Sequence, residues 1–332
     1  MRRDEFKMRA RIASICQGGR LYNSVKENRK YVMKLLDLAL LQKPDLVCLP
    51  EAFTTANVNK PIEEIAESVP GPTTNIVAKK ARAAECYVIC PIKTKRNGKI
   101  WNSAVIIDRT GEILGIYDKV HPVTSSSDYT VFEGGVTPGS DVPIFDLDFG
   151  RIGIQICFDI GFPESWRKLS EKGARIVFWP SAYNRGFPLQ VYAYLHHYYV
   201  VSSVRSDKSR IIDPLGRILA ETDYHVNVIC REINPDFVVA HYDFNYSIPD
   251  RIMKTYPGRV EVRSHRDDGH FLVEPIDDSL STEHLQKEFG FESTFQYHER
   301  HRIAYKWILQ GKQPPAQKAA HGDRPQYSKQ NS

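Results

Sequence analysis

Arg151-Ile-Gly-Ile-Gln-Ile-Cys157-Phe-Asp-Ile-Gly-Phe-Pro-Glu164 is the stretch of this chain that most directly predicts its fold. Apolar residues lead into a cysteine, and an acidic residue, a glycine and a proline follow within six positions, so we expect a buried strand that ends abruptly in a turn. In an open α/β sheet, residues just beyond the carboxyl ends of strands line the crevice where ligands bind. Cys157 is therefore a candidate nucleophile, although a single buried cysteine is more often a small hydrophobic core residue.

Two other stretches also end an apolar, strand-like run at one ionisable residue, with a proline nearby. They are Leu46-Val-Cys-Leu-Pro-Glu51-Ala-Phe and Gly115-Ile-Tyr-Asp-Lys119-Val-His-Pro122. Three strand ends thus offer Glu51, Lys119 and Cys157, and ionisable groups in such positions are candidates for a functional site. The alternative is a surface Glu–Lys ion pair near an unrelated buried cysteine.

These three groups are suited to nucleophilic attack by sulfur. A thiolate attacks carbonyl and nitrile carbon, and Glu51 would take the proton from sulfur and pass it to the departing nitrogen. Negative charge on the carbonyl oxygen needs fixed donors, which we expect to be Lys119 and the backbone N–H of Phe158. Lys119 would lower the pKa of the thiol and Glu51 would raise it, and the sequence leaves open which effect is larger.

Together, the three stretches resemble the Glu, Lys and Cys motifs of the nitrilase superfamily of carbon-nitrogen hydrolases, in the family's order and at a similar spacing. The resemblance spans roughly residues 9 to 235. Further segments that resemble the family are Pro70-Gly71-Pro72, Trp101-Asn102-Ser103, Asp108-Arg-Thr-Gly111, Pro138-Gly139, Phe149-Gly150-Arg-Ile-Gly153, Pro180-Ser181 and Asp213-Pro-Leu-Gly216.

The resemblance implies an α/β fold, a four-layer αββα sandwich of two mixed sheets covered by helices, and usually a homodimer or larger homo-oligomer. It implies that Glu51 is the general base, Lys119 the oxyanion-stabilising lysine and Cys157 the nucleophile. Many members have a further glutamate that hydrogen-bonds near the lysine and orients the substrate, and Glu133 matches that position. A loop carboxylate in solvent is the alternative for Glu133. We expect no cofactor and no metal ion.

The order of predicted elements also favours mixed sheets covered by helices. A strand, a helix with Asn23 as its N-cap and a second strand predict a right-handed crossover between parallel strands. Asn97-Gly98 and Thr110-Gly111 predict turns between three further strands. Beyond Asp236 the pattern weakens: helices are predicted at 283–288 and 294–309, and His265-Arg-Asp-Asp268 is a charged surface stretch. We therefore divide the chain into a core at 1–240, an extension at 241–310 packed on the core or on a partner subunit, and a disordered tail at 311–332.

Composition limits the class of protein. The chain has 332 residues, 42% of them hydrophobic, which is enough for a large core. A net charge of +5, dispersed along the sequence, argues against nucleic acid as a partner. The charged N-terminus lacks the apolar region of a signal peptide, and no run approaches the length of a membrane helix. The six cysteines lie mostly in strand-like runs and are interpreted as reduced, so we expect a cytoplasmic protein with no membrane partner.

The residues after the cysteine indicate the substrate class. Phe158 and Asp159 stand where true nitrilases typically have Trp and Glu, and they are closer to the amidase and carbamoyl-hydrolysing branches. We therefore expect a small-molecule substrate, a linear amide or N-carbamoyl compound, which is hydrolysed through a thioester with release of ammonia. The candidate pocket residues, whose aromatic members could equally belong to the core, are Phe53, Tyr129, Tyr183, Asn184 and Arg185.

Three other functions are weighed against this one. A nitrilase acting on a nitrile would use the same residues. An inactive oligomeric scaffold is suggested by the helix after Pro180-Ser181, since Val191-Tyr-Ala-Tyr-Leu-His196-His197-Tyr198 lacks an arginine and an acidic residue expected of the family. A metal hydrolase would have to use His121, His196, His197 or the pair His298 and His301. Adjacent histidines point in different directions and no carboxylates accompany them at ligand spacing, so we disfavour the metal hydrolase.

Overall fold

The computed structural model describes residues 9–318 and residue 323. The chain divides into two compact units, the first ending at Pro235 and the second beginning at Asp236. Within the described residues, no helix is long and apolar enough to cross a membrane. The part of the predicted disordered tail at 319–322 and 324–332 lies outside the described residues, and residues 311–318 form neither helix nor strand.

From residue 9 onward, where its structure is described, the first unit contains twelve strands and five α-helices. The strands are β1 Ala10–Ile15, β2 Leu46–Cys48, β3 Tyr87–Arg96, β4 Lys99–Ile107, β5 Ile113–Asp118, β6 Ile144–Leu147, β7 Gly150–Ile154, β8 Ile176–Ser181, β9 Tyr199–Val204, β10 Arg210–Ile212, β11 Ile218–Glu221 and β12 Val228–Ile233. The helices are α1 Val25–Leu40, α2 Ile62–Ile65, α3 Pro72–Ala84, α4 Pro163–Glu171 and α5 Gly186–His196.

The strands form two six-stranded sheets, in the orders β12-β1-β2-β3-β4-β5 and β11-β10-β9-β8-β7-β6. Both sheets are mixed. Strands β1, β2 and β3 are parallel, as are β7, β8 and β9, and the remaining neighbours are antiparallel. Because β4 reverses the direction of the chain and β5 reverses it again, β5 runs in the same direction as β2. The carboxyl ends of β2 and β5 therefore meet at one edge of the first sheet.

Helices cover the outer faces of the two sheets, so the four-layer sandwich is confirmed. Val32 and Leu36 of α1, with Val77 of α3, belong to the same fully buried cluster as the side chains of the first sheet. Trp166 of α4 and Ala193 of α5 are buried against the second sheet. The inner faces contact each other directly. The hydroxyl of Ser203 on β9 donates to the backbone carbonyl of residue 15 in β1 at 2.6 Å.

The N-cap of helix α1 is Ser24, one residue later than predicted. Asn23 is not the N-cap. Ser24 has extended backbone angles and its hydroxyl accepts a hydrogen bond from the backbone N–H of Glu27 at 3.3 Å. The side chain of Glu27 in turn accepts from the same hydroxyl. The serine hydroxyl thus satisfies one of the backbone N–H groups that have no partner within the first turn of the helix, and serine is a favoured residue at this position.

The second unit has a core of its own. It contains a three-stranded antiparallel sheet of order β13-β15-β14, built from β13 Val238–His241, β14 Val260–His265 and β15 His270–Pro275. Its helices are α6 Ile248–Thr255, α7 Thr282–Phe289 and α8 Thr294–Leu309. The last two helices were predicted, whereas α6 and the three strands were not. The charged stretch at 265–268 ends β14 and forms most of the tight connection to β15.

Candidate active site

Cys157 lies where the sequence predicts, directly after a buried strand and at the start of a sharp turn. Strand β7 ends at Ile154, and a single 3-10 turn spans Cys157–Gly161. The backbone of Cys157 has φ of +48°, a left-handed conformation that residues other than glycine rarely adopt. Such strained positions cluster at functional sites. The side chain is buried, with 4% of its surface exposed.

Asp159 joins this turn to the segment that carries Lys119. Its Oδ2 accepts hydrogen bonds from the hydroxyl of Tyr117 at 2.7 Å and from the N–H of Ile156 at 2.8 Å. Its Oδ1 accepts from the N–H of His121 at 2.9 Å. Tyr117 and His121 lie two residues on either side of Lys119. The buried carboxylate of Asp159 therefore holds the cysteine-bearing turn against the end of β5.

Lys119 contacts both candidate carboxylates. Its Nζ is 2.9 Å from Oε1 of Glu51 and 2.6 Å from Oε1 of Glu133. The side chains of Lys119 and Glu51 are almost completely buried, and that of Glu133 is 15% exposed. Glu133 is thus not a loop carboxylate in solvent. The strand directions explain the meeting of Glu51 and Lys119, since both follow strands that end at the same edge of the sheet.

Asn102 and Lys93 complete the cluster, and neither was assigned a role from the sequence. The Nδ2 of Asn102 donates to Oε1 of Glu51 at 2.8 Å and to Oε2 of Glu133 at 2.9 Å. The ammonium group of Lys93 pairs with Oε2 of Glu133. Lys93 and Asn102 are directly opposite each other on β3 and β4. The four charged side chains and the bridging amide form one network, which we call the carboxylate–ammonium cluster.

The two ammonium groups keep both carboxyl groups of the cluster ionised. Burial would raise the pKa of Glu51, but the charge of Lys119 holds it below its usual value. Burial likewise opposes ionisation of Glu133, yet Lys93 and Lys119 lower its pKa to about 2. Burial would lower the pKa of Lys119, but the two carboxylates raise it above its usual value. Burial does lower the pKa of Lys93, against the opposing charges of Glu133 and Glu51.

Cys157 is a protonated thiol at neutral pH. Burial and the charge of Glu51 raise the pKa of Cys157 to about 11, and the opposing effect of Lys119 is smaller. This answers the question that the sequence left open about the two charges. Since the thiolate is not present in advance, a base has to remove the proton at the time of attack. Glu51 is ionised, and its charge acts on Cys157.

The predicted pocket residues lie in different surroundings. Phe53 is fully buried in the hydrophobic cluster of the first sheet, which is a core position. Tyr129 is 70% exposed. The guanidinium of Arg185 lies 4.9 Å from the ring centroid of Tyr183. Asn184 donates through Nδ2 to Oδ1 of Asp207 at 2.8 Å.

Three of the predicted pocket residues, Tyr183, Asn184 and Arg185, follow a segment that lies beside the thiol. Burial raises the pKa of Cys157, and the nearby backbone of Ala182 and side chain of Ser181 oppose this and lower it. Tyr183 comes next in the chain, so its segment borders the nucleophile. Phe158, whose N–H is the second predicted oxyanion donor, has a side chain that is 38% exposed and meets the ring of Phe162 edge to face at 5.7 Å. The oxyanion role of its N–H stays a prediction.

A cavity of about 370 Å³ borders the carboxylate–ammonium cluster. It is lined by Thr55, Lys60, Pro61, Ile62, Ile65, Lys93, Glu133 and Gly134. None of the five predicted pocket residues lines it. The cavity lies between the loop after β2 and the loop that carries Glu133, and these loops carry no pattern in the sequence that would have revealed it.

Helix α5 supports the cysteine-bearing turn in spite of its unusual sequence. The hydroxyl of Tyr192 donates to the backbone carbonyl of Ile160 at 2.8 Å. The rings of Tyr192 and Trp166 stack with their centroids 4.4 Å apart. Trp166 in turn donates through Nε1 to the carbonyl of Asp159 at 3.0 Å. Aromatic residues therefore provide contacts to the turn where the family's arginine and acidic residue are missing.

The described residues contain no group of three or more His, Cys, Asp or Glu side chains that could hold a metal ion. The site offers the thiol of Cys157, together with the carboxylates and ammonium groups of the cluster. An α/β sandwich with these groups at its strand ends belongs to the class of αββα hydrolases. Comparison with known proteins defines the family more closely.

Residues 11–241 match the family model described as carbon-nitrogen hydrolase. The deaminated glutathione amidase of Synechocystis sp. (strain PCC 6803 / GT-S) is 30% identical over 245 residues, which cover 64% of this chain and 88% of that protein. Omega-amidase NIT2 of Xenopus tropicalis is 26% identical over 239 residues, covering 64% of this chain and 84% of that protein. The crystal structure of the C. elegans NitFhit protein has the same fold, with a TM-score of 0.63 and 22% identity over 76% of this chain and 64% of that chain.

The chain therefore belongs to the carbon-nitrogen hydrolase family, in the amidase branch of the nitrilase superfamily. It is a hydrolase of carbon–nitrogen bonds other than peptide bonds.

Proposed function

We propose that this protein hydrolyses a linear amide or an N-carbamoyl compound through a thioester on Cys157, with release of ammonia. The observation that carries the proposal is the buried contact of Lys119 with Glu51 and Glu133. The charges of Glu51 and Lys119 also act on the protonated thiol of Cys157, in the turn that follows β7. The amidase names of the relatives support an amide as the substrate class. The departure from nitrilase sequences at Phe158 and Asp159 supports the same choice.

Acylation of Cys157 begins with proton transfer to Glu51. Glu51 takes the proton from the sulfur of Cys157, and the sulfur attacks the carbonyl carbon of the substrate. The oxygen of that carbonyl becomes negative and is stabilised by Lys119 and the N–H of Phe158. Glu51 then gives its proton to the departing nitrogen, the carbon–nitrogen bond breaks, and ammonia leaves. The acyl group remains on sulfur as a thioester.

Deacylation repeats these steps with water as the nucleophile. Glu51 takes a proton from water, the resulting hydroxide attacks the thioester carbon, and the same donors stabilise the oxyanion. The sulfur leaves and receives the proton from Glu51. An amide yields a carboxylic acid, and an N-carbamoyl compound yields a carbamate that decomposes to an amine and carbon dioxide. Glu133 orients the substrate nitrogen from the cavity side.

The substrate pocket is proposed to include the cavity beside Glu133 and the segment after Ser181 that borders Cys157. Glu133 lines this cavity and also contacts Lys119, the oxyanion-stabilising lysine. A carboxylate that orients the substrate has to lie in such a position. Tyr183, Asn184 and Arg185 would then contact the part of the substrate nearest the sulfur. Tyr129 would contact the substrate only if its exposed side chain closes over the pocket.

The test is ammonia release from a panel of linear amides, N-carbamoyl amines and nitriles. We expect wild-type protein to release ammonia from at least one amide or carbamoyl compound, and Cys157→Ala protein from none. Cys230→Ala is the matched control, because it removes a partly buried thiol from β12 without touching the cluster. Full activity of Cys157→Ala protein would contradict the assignment of the nucleophile.

Two alternatives predict different outcomes of the same panel. A nitrilase would use the same thiolate, but it would release ammonia from a nitrile and leave every amide unchanged. An inactive scaffold would turn over nothing, although it folds normally. The altered helix α5 motivates the scaffold, but the contacts of Tyr192 with the cysteine-bearing turn favour an intact site.

We also propose that the protein assembles as a homodimer or larger homo-oligomer, as the resemblance implies. Helix α5 presents Phe187 and Leu195 to solvent, 76% and 56% exposed, and burial of such side chains would favour association. Sedimentation velocity of the wild-type protein tests this. A species of one chain at all concentrations would contradict it.

A further inference from the structure

Lys93 is a buried lysine that the proposed mechanism does not use. It lies on β3, and its side chain is 11% exposed. Its neighbour across the sheet is Asn102 on β4, and the backbone N–H of Lys119 donates to the carbonyl of Asn102 at 2.8 Å. A row of three side chains therefore runs from β3 through β4 to the residue after β5: Lys93, Asn102 and Lys119. All three side chains contact one or both carboxylates of the cluster.

The two lysines divide the oxygens of Glu133 between them. Lys119 contacts Oε1 of Glu133, and Lys93 contacts Oε2. The cluster thus has two carboxylates and two ammonium groups, so its charges balance. Without Lys93, the single ammonium of Lys119 would contact both carboxylates, and the cluster would carry a net negative charge. Arg205 is a further positive charge that lowers the pKa of Glu51, and it would remain.

The two carboxylates are close enough to influence each other. A single amide nitrogen, Nδ2 of Asn102, is 2.8 Å from Glu51 and 2.9 Å from Glu133. When two neighbouring carboxylates lack sufficient positive charge, one of them binds a proton at a raised pKa, and the two titrate as a pair. A proton shared by Glu51 and Glu133 would reduce the fraction of Glu51 that is free to act as a base.

We propose that Lys93 is a positioning residue of this site, which keeps Glu133 ionised and thereby leaves Glu51 unprotonated and able to accept the thiol proton. The inference rests on the proposed function for the roles of Glu51 and Cys157. Lys93 is the first of the charges that lower the pKa of its direct partner Glu133, and it also lowers the pKa of Glu51, after Lys119 and Arg205. Lys93 also lines the cavity beside the cluster, as Glu133 does.

The variant Lys93→Met tests the proposal, because methionine keeps most of the side chain's length and removes the charge. A positive charge in contact with a carboxyl group lowers the pKa of that group by about 1 to 3 units, so removing the charge raises it. We therefore expect the acidic limb of the pH profile of kcat/KM to move up by about 1 to 3 pH units. Lys93→Arg should keep the wild-type profile. The control is Lys95→Met, which removes an exposed lysine from the same strand.

A second measurement does not need a substrate. The infrared band of a protonated carboxyl group is separate from those of carboxylates, and it can be followed as the pH is lowered. We expect this band in Lys93→Met protein at a pH about 1 to 3 units higher than in wild-type protein. The double variant Lys93→Met/Glu133→Gln again has one carboxylate for one ammonium, so the added band should disappear. Disappearance of the band would assign it to the pair Glu51 and Glu133. The band at a raised pH in Lys93→Met protein, and its absence at that pH in Lys93→Arg protein, is the result that a merely structural role would not produce.

The outcomes separate this inference from the proposed function. If wild-type protein turns over no compound in the panel, the proposed function fails, and the infrared titration still tests the charge balance. If Lys93→Met protein is folded and both its kcat/KM profile and its infrared titration match those of wild type, the role of Lys93 is wrong. Should Lys93→Met protein fail to fold, Lys93→Gln provides the same comparison, because glutamine removes the charge and keeps a hydrogen-bond donor to Glu133.

Discussion

Replacing Lys119 by methionine removes the ammonium group that contacts both carboxylates of the cluster. The Nζ of Lys119 is 2.9 Å from Glu51 and 2.6 Å from Glu133, and the lysine side chain is 1% exposed. Breaking a buried ion pair by removing one partner costs about 3–5 kcal/mol, because the remaining charge is left without compensation. Loss of one oxyanion donor reduces kcat by about a hundredfold to a thousandfold, which corresponds to about 2.7–4 kcal/mol. We therefore expect two separate effects of Lys119→Met, on stability and on turnover.

The two effects are measured separately. Urea unfolding gives the loss of stability, and ammonia release is then measured under conditions where the variant is folded. Lys119→Arg should lose less stability than Lys119→Met, because it keeps the charge, but should still lose most of kcat, because the donor is displaced. Lys80→Met is the control, since it breaks a partly exposed ion pair with Asp37, and such pairs contribute about 0–1 kcal/mol. A folded Lys119→Met protein with kcat within about fivefold of wild type would refute the oxyanion role, since the loss from one donor is far larger.

Three further predictions concern the supports of the site. Asp159→Asn removes one of two acceptor oxygens and leaves a buried donor unpaired, so we expect a loss of about 1–3 kcal/mol in urea unfolding, and unchanged stability would contradict its anchoring role. Tyr192→Phe removes the hydrogen bond to Ile160 and should lower stability by about 0.5–1.5 kcal/mol, whereas an unchanged unfolding midpoint would show that the bond is unimportant. Folding lowers the pKa of Glu133 from 4.5 to about 2. The ionised Glu133 therefore stabilises the fold fully above pH 4.5, and this stabilisation is lost as the pH falls toward about 2. The stabilisation by Glu133 is about 3 kcal/mol. In urea unfolding at several pH values, the free energy of unfolding of Glu133→Gln protein should lack this part of the pH dependence. The same pH dependence in variant and wild type would contradict the prediction.

The sequence predicted the fold and the meeting of Glu51 with Lys119 because strand ends are visible as apolar runs that stop at a chain breaker. The ionisable residue that follows each run therefore lies at the carboxyl end of a strand. The hairpin turns then determine the strand directions, and the directions decide which ends share an edge. The φ of +48° at Cys157 agrees with the abrupt stop that its stretch predicted.

The burial of Lys93 is not predictable from the pattern of its strand. The turn at Asn97-Gly98 was recognised, and a two-residue turn fixes the register of its hairpin, so that Lys93 faces Asn102. That register was available from the sequence, but lysine on a strand next to Lys95 and Arg96 has the appearance of a solvent-facing residue. Only the structure shows that Lys93 is covered and Lys95 exposed. Burial depends on the neighbouring loops, and their positions are not encoded in the pattern of one strand.

The second unit was less predictable for a different reason. Its helices α7 and α8 have serine caps, and α8 was predicted with its observed bounds. Strands β13, β14 and β15 are short, of 4, 6 and 6 residues, and charged residues interrupt β14 and β15. Strands of this length are recognised mainly through alternation, and a few charges remove it. For Phe53 the sequence leaves a pocket position and a core position equally open, and the structure places it in the core.

The central claim is that the substrate's acyl group is transferred to the sulfur of Cys157. It is tested most directly by quenching the reaction in acid at successive times and measuring the mass of the peptide that contains Cys157. We predict an added mass equal to the acyl group, which appears in the first turnover and disappears once the substrate is consumed. Turnover of an amide by protein in which Cys157 stays unmodified, with Cys157→Ala protein equally active, would contradict the account.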